Sequence, residues 1–184
     1  MTPEDVVAAL AKAVPEDHEY ALIGAAARNA WAPPRASTDL DFVVAASAAT
    51  LDRVEAALLP LGYSASRRNR ADSSDALPDI VILRCDEEGL RQVDLLVAKT
   101  RFEQAALQRA VEVAAPWGGT ARVVTAEDLI VYKLIAFRDR DRDDVRAVAR
   151  TQAALGKPID RSYVERWAEE WGVTDRLSLL DDLG

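Results

Sequence analysis

Apolar positions recur along the chain with two periods, near 3.6 and 2, and the alternation between them lays out a mixed helix and strand protein. Residues 3–14 carry Val6, Val7 and Leu10 on one helical face, behind a start signal of Thr2, Pro3 and Asp5 three positions beyond the hydroxyl. Residues 19–24 read as a strand, 25–31 as a short helix of small residues, and Pro33-Pro34 ends it. A second strand is predicted over 39–45, then a helix over 48–61 with Leu51, Val54, Leu58 and Leu61 at helical spacing. After a polar gap come strands over 79–85 and 90–97, joined by a turn at 86–89 into an antiparallel hairpin. The remaining pattern predicts a helix over 101–114, a strand over 121–124, and a capped helix start at Thr125 opening the apolar run 129–137. The charge run 138–144 leads into a helix with Val145 and Val148, and helices over 161–171 and 174–183 follow.

The 184 residues suffice for one domain, here divided as a core over 1–124 and a helical part over 125–184 packed on it. Composition is that of a soluble globular chain, 49% hydrophobic and 29% charged. No apolar run approaches the roughly 20 residues needed to cross a bilayer, and the N-terminus lacks the layout of a signal peptide, which predicts a cytoplasmic protein with no membrane partner. The net charge of -8 argues against duplex DNA as a partner, since such binding neutralises many phosphates. Arg67, Arg68 and Arg70 form the one basic cluster and read as a solvated, mobile loop. With one cysteine, Cys85, and one histidine, His18, a closed zinc site is out of reach, so any metal must be held by oxygen. Cys85 reads as a small core residue and His18 as solvated.

Candidate chemistry gathers in residues 22–44. In a strand, Asp39 and Asp41 point to one face while Leu40 and Phe42 point to the other. Asp39 alone fits a solvated strand start; Asp41, followed directly by Phe42-Val43-Val44, fits it less well. Asp94 is the lone charge within the apolar strand 90–97, a costly position unless it is paired or binds a metal. Three carboxylates suit magnesium or manganese, and two such ions can orient a triphosphate and stabilise departing pyrophosphate. The turn at Gly24-Ala25 offers backbone amides at a helix N-terminus to phosphate. Arg35, Ser37 and Lys133 can add charge and hydrogen bonds to the phosphates or to an acceptor. Lys133 is the only charge in residues 129–137; it either snorkels from a buried helix or is aimed at an anionic group in a cleft. The run 138–144 by itself reads as a solvated helix start.

With these parts in place the sequence resembles the DNA polymerase β-like nucleotidyltransferase superfamily, in which a Gly-Gly or Gly-Ser turn precedes an Asp-x-Asp strand and a third acid on a later strand. The matching positions are Gly24-Ala25, Asp39-Leu40-Asp41 and Asp94. Arg35-Ala36-Ser37-Thr38-Asp39-Leu40-Asp41 is similar to the Arg-x-Ser-x-Asp-x-Asp of small bacterial nucleotidyltransferases, including abortive-infection (AbiEii-like) toxins. The segment from Glu127 through Lys133, Arg138, Asp141 and Asp144 resembles their downstream helix and acidic turn. The resemblance implies an α+β fold, a mixed β-sheet flanked by helices with a C-terminal helical extension. It implies transfer of a nucleoside monophosphate from a nucleoside triphosphate to a hydroxyl acceptor, with two Mg2+ or Mn2+ ions on Asp39, Asp41 and Asp94. Lys133 would contact phosphate, and Asp94 would help deprotonate the acceptor, which is a tRNA end, a protein side chain or a small molecule. Ala25 departs from the pattern, because it brings no hydroxyl to the triphosphate. The competing reading is a catalytically inactive binding or regulatory module of the same fold, such as one component of a toxin-antitoxin pair.

Overall fold

The structure, a computed structural model, describes residues 2–14, 19–69, 80–85, 92–115 and 117–181. His18, Arg70 and the turn expected at 86–89 lie outside them. Helix α1 (Pro3–Ala13) starts with the capping box read from the sequence: the Thr2 hydroxyl accepts from the Asp5 amide, and the Asp5 carboxylate accepts from the Thr2 amide at 2.8 Å. Strand β1 (Tyr20–Ile23) feeds α2 (Gly24–Trp31), and β2 (Asp39–Val44) is followed by α3 (Ala48–Leu58) and a single 3-10 turn, Leu59–Leu61. Strands β3 (Ser64–Asn69), β4 (Ile80–Arg84) and β5 (Gln92–Val97) precede α4 (Arg101–Arg109), β6 (Val111–Ala114) and β7 (Thr120–Val123). Helices α5 (Ala126–Ala136), α6 (Asp139–Ala154) and α7 (Arg161–Glu170) and a 3-10 segment, Thr174–Leu180, complete the chain.

The seven strands form one mixed sheet in the order β3-β4-β5-β2-β1-β7-β6. The sheet flanked by helices is the α+β architecture expected. The β4–β5 hairpin is antiparallel, β2 runs parallel to β5, and β1 is antiparallel to β2. One apolar cluster runs from Val6 and Leu10 through Phe42, Leu95 and Phe102 to Ile130, Val148 and Trp167, and the buried Cys85 belongs to it.

Two strands were not anticipated, and both are the outermost strands of the sheet. Residues 64–69 are β3 rather than a loop, so Arg67 and Arg68 stand in a strand, paired antiparallel with β4 through a register shift between Ala65 and Arg67. The helix expected over 101–114 stops at Arg109, and Val111 to Ala114 pair with β7. Edge strands tolerate charged and exposed side chains: β3 carries a single apolar residue, Ala65, and the Val111-Glu112-Val113 alternation of β6 is too short to stand apart from the helix before it. Three of the four β6 residues are exposed. The last predicted helix is a 3-10 segment rather than an α-helix.

Candidate functional site

Strands β2 and β5 lie side by side at the centre of the sheet, and their first four residues share one burial pattern. Asp39, Asp41, Gln92 and Asp94 are partly exposed, while Leu40, Phe42, Val93 and Leu95 between them are buried. The parallel register sets Asp41 opposite Asp94 and Asp39 opposite Gln92. The three acids foreseen from the sequence therefore share one face of two adjacent strands, forming a two-by-two patch with Gln92 at the fourth corner.

Helix α2 begins directly behind this patch. Gly24 takes φ +62, and a β-carbon there would sit 1.9 Å from Oδ2 of Asp41 and 2.7 Å from its Cγ. Only glycine fits, by backbone conformation and by space. The next amide, that of Ala25, donates to the Asp41 carboxylate. The amide expected to meet phosphate thus serves Asp41 in this state.

Burial pushes the pKa of Asp41 up to about 6, helped by the negative charges of Asp94 and Asp39 and opposed by the Lys133 ammonium and the Ala25 amide. Asp94 is also raised. Burial is the main cause, the Asp39 charge adds to it, and hydrogen bonds from Gln92 with the charges of Arg84 and Arg138 oppose it. The Gln92 amide nitrogen donates to both oxygens of Asp94, at 2.8 and 2.9 Å. At the start of β2, Ser37 Oγ accepts from the Asp39 amide at 3.3 Å, and Thr38 Oγ1 donates to Asp39 Oδ1 at 3.1 Å.

A second cluster lies between α2, α5 and α6. Lys133 Nζ stands 2.6 Å from Asp141 Oδ1 and 3.0 Å from Asp144 Oδ2. Arg35 grips Asp144 in bidentate fashion, Nε to Oδ1 at 3.1 Å and NH2 to Oδ2 at 2.9 Å. Arg28 brings Nε to 3.2 Å from Asp144 Oδ1, close enough for ion pairing but not aligned as a hydrogen bond, while its NH1 donates to the Pro33 carbonyl. Burial pushes the Asp144 carboxyl up, but hydrogen bonds from Arg35 and Lys133 outweigh it and hold the pKa below the ordinary value. Asp141 also accepts from the Arg138 amide at 3.0 Å, capping α6 where Phe137, at φ 48, turns the chain out of α5.

The run 138–144 is a solvated helix start at Asp139 and Asp143 but not at Asp141 and Asp144, which are 4% and 3% exposed. The chain takes this shape because both carboxylates point inward to cations on α5, on α2 and in the loop before β2. Asn29 ties that loop to α2, its side chain bonding the Arg35 amide and carbonyl at 2.9 and 2.8 Å. Beside this cluster Arg28, Arg35, Arg140, Asp143 and Asp144 line a cavity of about 460 Å³.

The structure thus brings Asp39, Asp41, Asp94, Gly24 and Ala25 together. Lys133, Arg35, Asp141 and Asp144 form a neighbouring ionic network whose Lys133 is felt electrostatically by Asp41. Arg138 adds its charge near Asp94. Sequence reasoning passed over Gln92 and Arg28. Gln92 lies two residues before Asp94 and so shares its face; Arg28 lies one helical turn beyond Gly24, on the buried side of α2.

Carboxylate oxygens are the donors a hard divalent cation takes, and the raised pKa of Asp41 marks negative charge that lacks full compensation. By chemistry alone, oxygen donors of this kind are those Mg2+ or Mn2+ takes. Among the described residues, no group of three or more acidic, histidine or cysteine side chains is gathered tightly enough to hold an ion as it stands.

A mixed sheet whose central strands carry these acids beside a glycine-started helix has the fold of nucleotidyltransferases. Solved structures of that class superimpose on nearly the whole chain. The antibiotic-resistance factor ANT(2″)-Ia aligns with TM-score 0.56 at 14% identity, covering 97% of this chain and 92% of its own. The same factor in complex with adenylyl-2″-tobramycin aligns with TM-score 0.54 at 16% identity over 98% and 96%. MenT4, a nucleotidyltransferase toxin from Mycobacterium tuberculosis, aligns with TM-score 0.55 at 19% identity over 91% of this chain and 61% of its own. No protein-family model and no curated protein matches the sequence. Among the described residues, no helix is long and apolar enough to cross a membrane.

Proposed function

We propose that this protein is a metal-dependent nucleotidyltransferase that moves a nucleoside monophosphate from a nucleoside triphosphate to a hydroxyl acceptor and releases pyrophosphate. The observation that carries the reading is the register of β2 on β5, which sets Asp41 opposite Asp94 with Asp39 on the same face. In this reading Asp39, Asp41 and Asp94 hold two Mg2+ or Mn2+ ions. Such ions supply charge neutralisation for the triphosphate and polarisation of the acceptor hydroxyl.

The chain's own residues have distinct tasks. Asp94 takes the proton from the acceptor oxygen as that oxygen bonds to the α-phosphorus. The bond from the α-phosphorus to the bridging oxygen breaks, and pyrophosphate leaves with the electron pair. Gly24 leaves the Asp41 carboxylate room against α2. Lys133, held by Asp141 and Asp144, adds fixed positive charge beside the acids, and Arg35, Ser37 and Arg138 complete the nucleotide and acceptor surroundings.

The acceptor is a tRNA end, a protein side chain or a small hydroxyl compound. The aligned structures cover an antibiotic-resistance factor and a toxin, so both a small-molecule and a toxin role, the latter with an antitoxin partner, belong to this reading. The deciding experiment is magnesium-dependent transfer of label from α-labelled nucleotides to RNA, protein and small hydroxyl acceptors, in wild type and in Asp39→Asn, Asp41→Asn and Asp94→Asn. Label that appears in wild type and vanishes in all three supports the assignment. Nucleotide binding with no transfer to any acceptor would favour a binding module instead.

A further inference from the structure

Resting on the metal-dependent reading above, we propose that Gln92 is a placeholder for the cation: its amide occupies Asp94 in the free protein and must give way before an ion can bind there. Gln92 is the register partner of Asp39 and lies two residues before Asp94, so it completes the patch made by Asp39, Asp41 and Asp94. Its one amide nitrogen lies 2.8 Å from Asp94 Oδ1 and 2.9 Å from Oδ2. Nearly equal distances put that nitrogen close to the bisector of the carboxylate, so the amide engages both oxygens at once.

The N–H hydrogens of a primary amide carry partial positive charge, so the group satisfies a carboxylate much as a cation does, but at a fraction of the charge. Asp94, bonded to Gln92 through both oxygens, has its acceptors turned toward its own strand. An arriving divalent ion must compete with these charge-assisted hydrogen bonds, and the competition weakens cation affinity in the absence of nucleotide. The exchange needs only rotation of the Gln92 side chain, since the backbone of β5 is fixed between β2 and β4.

The test measures Mn2+ binding to the free protein by electron paramagnetic resonance, without nucleotide or acceptor, so that turnover plays no part. Replacing the amide in Gln92→Met, which keeps chain length and loses both donors, should tighten Mn2+ binding by about tenfold, the lower end of what hydrogen bonds to a charged acceptor are worth. Gln92→Ala should tighten it in the same direction and stands in if the Met variant does not fold. Adding Asp39→Asn to Gln92→Met should abolish the gain, which locates the ion in this patch. If wild type binds Mn2+ and both Gln92 variants bind it equally or more weakly, the placeholder is overturned while the metal-dependent reading stands. If neither wild type nor the variants bind Mn2+ with or without nucleotide, the metal-dependent reading falls and the placeholder falls with it.

Discussion

Gly24 and Asp41 are in contact so close that a single added carbon on the first would overlap the carboxylate of the second, at 1.9 Å from Oδ2. The acid at the centre of the patch is thereby fitted to the start of α2, and the two elements cannot be altered independently.

Replacing Gly24 by alanine should therefore act twice. The left-handed backbone at φ +62 costs about 1–2 kcal/mol for a residue with a side chain, and the methyl group must displace the Asp41 carboxylate. Chemical denaturation should register the loss of stability, and Mn2+ binding should weaken with it. A variant of unchanged stability would mean that α2 can move away from β2.

Ionising Asp41 costs the fold stability. Its folded pKa of about 6 lies above the ordinary 3.8, so the folded protein keeps a proton over that window which the unfolded chain has released. Stability from this group is complete below about pH 4, falls as pH rises toward 6, and stays low above it, a difference of roughly 3 kcal/mol. Asp94 is shifted in the same direction and adds to the slope. At pH 8 without divalent ions, Asp41→Asn should be more stable than wild type, and the two unfolding free energies should converge near pH 4. Identical pH dependence in the two proteins would remove Asp41 as the source of the strain.

The opposite sign holds for Asp144, whose lowered pKa contributes stability that is present above the ordinary carboxylate range and lost as pH falls below it. Asp144→Ala leaves Arg28, Arg35 and Lys133 facing one another with Asp141 as the remaining acid at Lys133. Breaking a buried ionic network by removing one partner costs about 3–5 kcal/mol, which urea denaturation at pH 7 can measure. The exposed Arg101 and Glu170 pair, at 2.8 Å with Arg101 81% exposed, serves as the control, since Glu170→Ala should change stability by less than about 1 kcal/mol.

What the sequence determined by itself was local. Period-2 alternation placed Asp39 and Asp41 on one face and isolated Asp94 among apolar neighbours; hydroxyl and acid spacing marked the starts of α1 and α5; and Lys133 stood out as a charge in an apolar helix. These follow from backbone geometry within a few residues, which neighbouring side chains report directly. Only the tertiary structure decided that Asp41 faces Asp94, that Gln92 sits on Asp94, that Lys133 turns to Asp141 and Asp144, and that residues 64–69 and 111–114 are strands. The edge strands escaped because a strand with one hydrogen-bonded neighbour is held mainly by its backbone pairing, and its short or mostly polar sequence leaves too little apolar repeat to read. Across-strand register and ion pairing escaped because a strand's face is set by its own sequence, whereas its partner is chosen by how all the strands and helices pack at once.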